Sequence, residues 1–144
     1  MYCEMGYASD RVFNVRVLNE TWEELELDDL AVDNDSWIGE WFLPNRIRAR
    51  STGLFCATDA RPMGAEILCG VIENSECDLT YLIGGDRDRP VYFHMHAALD
   101  RADQELVEVW TPPTCRARVG RRGTGANFEV EVSPVQRKAL SRLE

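Results

Sequence analysis

Apolar and polar residues alternate along most of this chain, in short runs separated by turn-forming residues. Residues 12–18 (VFNVRVL) are β-branched and alternating, which predicts a strand. Residues 23–27 carry the weaker alternation of Leu25 and Leu27, and a second strand is expected there. Runs of the same kind follow at 37–43 (WIGEWFL), 46–57, 67–73 (ILCGVIE), 77–83 (CDLTYLI) and 91–97 (VYFHMHA). Three more stand at 105–110 (ELVEVW), 115–119 and 127–132 (NFEVEV). The breaks are rich in Asp, Asn, Gly and Pro: DNDS at 33–36, DARPMG at 59–64, NSE at 74–76, GGDRDRP at 84–90, DRAD at 100–103, TPPT at 111–114 and GRRGTG at 120–125. Only the C-terminus has helical spacing. Ser133 and Pro134 read as a cap and first turn, with Val135, Ala139, Leu140 and Leu143 on one face.

Eight to ten short strands with turns at near-regular intervals predict an all-β fold. The expected form is an antiparallel β-sandwich, jelly-roll-like, with a short C-terminal helix. Three segments are expected: an acidic N-terminal arm with the first strands (1–40), a β-sandwich core (41–132) and a helical tail (133–144). The centre of the pattern is 41–73, where a run at 46–57 and one at 65–73 flank the Pro-Met-Gly turn as antiparallel strands. On the first of these, Arg46, Arg48 and Arg50 are expected on one face.

Composition narrows the function classes. The 144 residues carry 16 basic and 25 acidic groups, a net of −9, which argues against nucleic acid as the main partner. The charge is uneven: residues 1–40 hold a net of −9 and residues 111–144 a net of +4. The two regions can pair within one chain or between chains, or remain solvated surfaces. No apolar run approaches the roughly 20 residues of a membrane helix, and the N-terminus has no signal-peptide pattern. Membrane insertion is therefore not expected. The five cysteines, Cys3, Cys56, Cys69, Cys77 and Cys115, show no C-x-x-C spacing, which excludes a zinc ribbon and fits assembly in a reducing cytosol.

Candidate chemistry is sparse. His94-x-His96 places two imidazoles on one face of a strand, with Asp100 four residues on, the beginning of a cupin-like metal site. These are the only histidines, so the later ligand of such a site is missing. Asp33 and Asp35 begin a calcium-loop pattern that fails at Trp37 and Pro44. GRRGTG lacks the G-K-[ST] ending of a phosphate loop and precedes a strand, so a hairpin with exposed Arg121 and Arg122 is expected. No nucleophile has a base at a diagnostic spacing, and neither catalysis nor a cofactor is expected. Trp37, Trp41 and Tyr92 are the candidate sugar-stacking residues, with Tyr81 and Trp110 as further aromatics, although such rings usually bury.

Residues 41–132 resemble a β-sandwich module of bacteriophage tail fibres, collars and appendages. The matching pieces are 42–44 (FLP), 60–64 (ARPMG), 67–74 (ILCGVIEN), 99–103 (LDRAD), 105–110 (ELVEVW) and the strand 128–132. Asn74 is followed by serine where that module usually has glycine. The resemblance implies a structural protein of a phage or phage-like particle: a fibre, spike, collar or decoration subunit located in the virion and assembled in the host cytoplasm. It implies a homo-oligomer, trimers included, with other virion proteins and cell-surface glycans as partners. The flanks then become docking elements, with Arg121, Arg122, Leu140 and Leu143 as interface residues. The alternatives are a carbohydrate-binding module and a metal-dependent cupin-like enzyme using His94, His96 and Asp100.

Overall fold

The computed structural model describes residues 12–35, 39–59, 74–98, 104–121 and 127–135. They form ten strands: β1 (Val12–Asn19), β2 (Leu25–Asp35), β3 (Gly39–Phe42), β4 (Arg46–Ile47), β5 (Ser51–Asp59), β6 (Asn74–Ile83), β7 (Pro90–Ala98), β8 (Leu106–Trp110), β9 (Cys115–Arg121) and β10 (Asn127–Pro134). Two five-stranded sheets result, ordered β3-β5-β1-β10-β9 and β4-β2-β6-β7-β8. The all-β sandwich expected from the alternation is therefore what forms. All pairings are antiparallel except that of β1 with β10, which is parallel.

The core is the inward half of that alternation. Phe13, Val15 and Val17 of β1 face Leu79, Tyr81 and Phe93 of the other sheet's strands in one buried cluster that also holds Phe55, Met95, Phe128 and Val130. Phe55 stacks on Tyr81 at 5.7 Å, and Phe93 meets Phe55 edge-on at 5.2 Å. Two polar links tie the layers. Trp41 Nε1 donates to Ser75 Oγ at 2.6 Å, and the buried Tyr81 hydroxyl donates to the Pro44 carbonyl at 2.6 Å. Each gives an aromatic side chain packed into or against the core the partner that its polar atom needs.

Several boundaries differ from the sequence expectation, for physical reasons. β2 continues well past Leu27 because a bulge at Leu27/Asp29 adds one residue, moving the apolar positions from Leu25 and Leu27 to Leu30 and Val32. Asp33, Asn34 and Asp35 are strand rather than turn, paired with Glu76, Ser75 and Asn74, which are themselves strand instead of the expected NSE turn. Ladder pairing overrides the turn preference of both stretches. The run 46–57 divides into β4 and β5, with Arg50 at φ 58° between them, so Arg46, Arg48 and Arg50 do not share a strand face.

Ser133 and Pro134 do not begin a helix. They end β10, opposite Arg116 and Cys115 of β9. Proline is tolerated there because β10 has already passed its last β1 pair, Asn19↔Val132. Val135 N–H donates to the Thr114 carbonyl at 2.9 Å, and the rest of the expected helix from residue 136, the Pro-Met-Gly turn, the run 65–73 and the DRAD turn lie outside the described residues. The described neighbours of β5 are β1 and β3.

Candidate functional site

The outer face of the β4-β2-β6-β7-β8 sheet carries His94, His96, Tyr92 and Trp110 of the residues that the sequence singled out. The registers align three rows across it: Asp29–Thr80–Tyr92–Trp110, Ala31–Asp78–His94–Glu108 and Asp33–Glu76–His96–Leu106. His94 and His96 do share a face, but each has its own partners. His94 Nδ1–H donates to Asp78 Oδ1 at 2.6 Å, and Asp78 also accepts from the Tyr92 hydroxyl. His96 Nδ1–H donates to the Gln104 carbonyl at 2.9 Å, and its Nε2 lies 3.1 Å from Asn74 Oδ1.

Partial desolvation raises the Asp78 carboxyl, but the Tyr92 and His94 hydrogen bonds outweigh it and hold the group below its ordinary value. The Asp78 hydrogen bond in turn pushes the Tyr92 phenol up. Among the described residues, no three His, Cys, Asp or Glu side chains converge as a metal would require. Asp100 lies outside them.

Of the aromatic candidates, Tyr92 is exposed and meets Trp110 at 5.1 Å with a 38° tilt. Trp41 is partly buried, with its ring edge-on to Phe13 at 5.7 Å. Trp37 is outside the described residues, as are Arg122, Leu140 and Leu143. Arg121 is described: its guanidinium covers the Phe128 ring at 4.5 Å and donates to the Glu105 carbonyl at 3.3 Å. Cys77 is buried, which pushes its thiol up to about 12 and leaves it unreactive at neutral pH.

A second region, which the sequence did not single out, is built at one end of the sandwich. The parallel pairing of β1 and β10 brings their C-terminal ends together, and Glu20 N–H donates to the Val132 carbonyl at 2.8 Å. The loop 20–24 therefore lies beside the end of β10 and the start of β9. Its anchor is Asn19, which is 1% exposed. Asn19 Nδ2 reaches the carbonyls of Glu23, Ile47 and Arg48 at 2.8, 3.1 and 3.0 Å. Its Oδ1 accepts from Thr21 N–H at 3.1 Å. One amide thus fixes both the loop after β1 and the turn after β4.

Glu23, on the same loop, takes a two-pronged hydrogen bond from Arg89 at 2.6 and 2.7 Å. That contact holds its carboxyl below the ordinary value. The loop presents Trp22, which is 75% exposed. Arg50 lies over this ring, 4.6 Å from its centre, and donates to the Glu20 carbonyl at 2.6 Å.

Beneath Trp22 runs a groove of roughly 470 Å³, with Arg50, Arg116, Arg118, Glu20 and Glu131 in its wall. Arg118 faces Glu131 at 3.9 Å. Arg116 has no ion-pair partner among the described residues. The volume suits a small polar ligand. A smaller hollow of roughly 210 Å³ lies beside His96, Asn74 and Glu76.

The sequence held a faint signal for the larger groove. Trp22 stands among polar neighbours (NETWEE), where no alternating run provides it with a buried face, and Arg116-x-Arg118 falls on an alternating strand.

No family model matches the chain, and no curated protein matches it. Among solved structures, the chain is similar in fold to the crystal structure of the lipid binding protein Nakanori. The likeness has a TM-score of 0.55 at 15% identity, over 87% of this chain and 71% of that one.

Proposed function

We propose that this chain is a non-catalytic module that docks on a lipid surface through the Trp22 end of the sandwich. The observation that carries this is the exposure of Trp22 on a loop fixed by the Asn19 amide. An indole settles favourably at the headgroup level of a bilayer, with its apolar body inward and its N–H wet. A pre-ordered loop loses little further entropy on docking. The lipid binding protein of similar fold supports the same reading.

Part of the net charge of −9 stands at this end, on Glu20, Glu23 and Glu24 of the loop and on Glu131, where Arg89 pairs Glu23 and Arg118 faces Glu131, and part of it lies elsewhere. Asp29, Asp33, Glu76, Asp78 and Glu108 all occupy the outer face of the other sheet, a full sandwich thickness from the outward Arg116 and Arg118. Sheets pack about 10 Å apart, and at physiological ionic strength charges are screened within about 8 Å. Co-sedimentation with vesicles, comparing the native chain with Trp22→Ala, tests the proposal.

A second reading keeps the resemblance to phage particle modules: a jelly-roll-like subunit that assembles with copies of itself. It is favoured by Phe42 and Leu54, 52% and 55% exposed, which lie close together on the outer face of the β3–β5 edge, since Phe42 pairs with Cys56, two residues from Leu54. Exposed apolar pairs of this kind mark contact surfaces. A mass in solution that remains monomeric at high concentration contradicts it.

A further inference from the structure

We infer that the groove under Trp22 binds a phosphate group carried on a hydroxylated headgroup. The inference rests on the proposed docking end, but it concerns a different contact, and the two fail separately. Three guanidinium groups line the groove: Arg50 from the turn before β5, and Arg116 and Arg118 from the outward face of β9. Arg50 spends one donor on a backbone carbonyl, and Arg118 has a carboxylate only at 3.9 Å.

A carboxylate ligand offers two oxygens, which a single guanidinium fork satisfies. A wall with three such groups instead matches an ion that has three or more acceptor oxygens and a charge near −2, which a phosphate monoester is. Glu20, Glu131 and Ser133 share the wall. Their oxygens would repel a bare anion but accept hydrogen bonds from hydroxyls beside the phosphate. A phosphorylated polyol meets both requirements, and the volume of roughly 470 Å³ accommodates one.

That chemistry is found in a phospholipid headgroup and in a soluble phosphoester, and the experiment separates them. The full chain is titrated with glycerol 3-phosphate, followed by amide and indole NMR shifts. Separately, it is titrated with vesicles of phosphatidylcholine with and without phosphatidylinositol 4-phosphate, whose headgroup carries a phosphate monoester among free hydroxyls. The expected result is saturable shifts at Trp22, Arg116, Arg118 and Glu131, weakened at least tenfold in the double variant Arg116→Gln, Arg118→Gln. Phosphatidylinositol 4-phosphate is expected to strengthen vesicle docking of the native chain but not of that variant. Arg118 is 80% exposed, so its replacement leaves the fold in place, which the unchanged remainder of the spectrum verifies.

Absent shifts, shifts indifferent to the arginine variant, or sulfate binding as tightly as the phosphoester overturns the inference. Docking on phosphatidylcholine without phosphoester binding overturns it while leaving the docking reading intact. Phosphoester binding with no docking on any vesicle assigns the groove to a soluble ligand and overturns the docking reading alone.

Discussion

The Arg50 guanidinium lies 4.6 Å from the centre of the Trp22 ring, although the two residues belong to different loops. The stack holds an exposed indole in one orientation and places a cation beside it. It also occurs where the backbone is strained, since Arg50 has φ 58°, a left-handed conformation that glycine adopts without penalty.

Arg50→Gly therefore separates stability from docking. Relief of the left-handed conformation contributes about 1 kcal/mol, and loss of the cation–π contact costs about 0.5–1 kcal/mol. Unfolding free energies from urea titrations are expected to agree within about 1 kcal/mol, while vesicle affinity falls. Equal affinity for both proteins would show that Arg50 has only a structural role.

Asn19→Ala is expected to be among the most damaging single changes. It leaves the Ile47 carbonyl and the Thr21 N–H short of a partner in a buried place, and it takes one of two donors from the Arg48 carbonyl, which keeps the Ser51 N–H. Buried groups left unpaired cost about 1–3 kcal/mol each, so a loss of about 3 kcal/mol in urea denaturation is predicted. A loss below about 1 kcal/mol would mean that the loop and the turn are held by something else.

Gly53→Ala tests the packing of β4 against β5. A Cβ at Gly53 would lie 2.7 Å from Cγ1 of the buried Ile47 and 2.8 Å from its Cδ1. The side chain must shift, at a cost of about 1–3 kcal/mol, read as a lowered melting temperature. The pair Gly53→Ala, Ile47→Val should recover part of that loss if the clash is the cause.

Acid should weaken the loop end first. Arg89 depresses the Glu23 carboxyl, and the Asp88 N–H, opposed by slight desolvation and aided by Arg89, depresses that of Asp86. A carboxyl held below its unfolded value contributes stability that is fully present above that unfolded value, near 4. This stability is lost as pH falls through the lower, folded value. Glu23→Gln is accordingly expected to flatten the acid limb of stability against pH, measured by urea titrations from pH 7 downward. An unchanged acid limb would remove the Glu23–Arg89 contact from the account.

The strands were legible because the sandwich buries one face of each, so the period of two appears directly in runs such as residues 12–18 and 91–97. The second half of β2 was not, because the bulge after Leu27 shifts the apolar period by one and acidic residues fill its outer positions. The end of β10 was not, because Ser-Pro is as good a helix start as a strand end, and only the neighbouring β9 decides. Within the candidate sites, the shared face of His94 and His96 followed from spacing. The Trp22 groove did not, since it depends on β1 and β10 meeting in parallel across more than a hundred residues. Spacing along the chain carries no trace of that pairing.

The account is tested most directly by titrating the native chain and Trp22→Ala with phosphatidylcholine vesicles, with thermal unfolding of both proteins as a check of the fold. Trp22 is exposed and its described ring contact is the Arg50 stack, so its replacement should lower stability by about 0.5–1 kcal/mol and leave the fold in place. The predicted result is docking by the native chain, weakened at least tenfold in the variant, or about 1.4 kcal/mol. Equal docking by both proteins, or none by the native chain on vesicles of any composition, would contradict it.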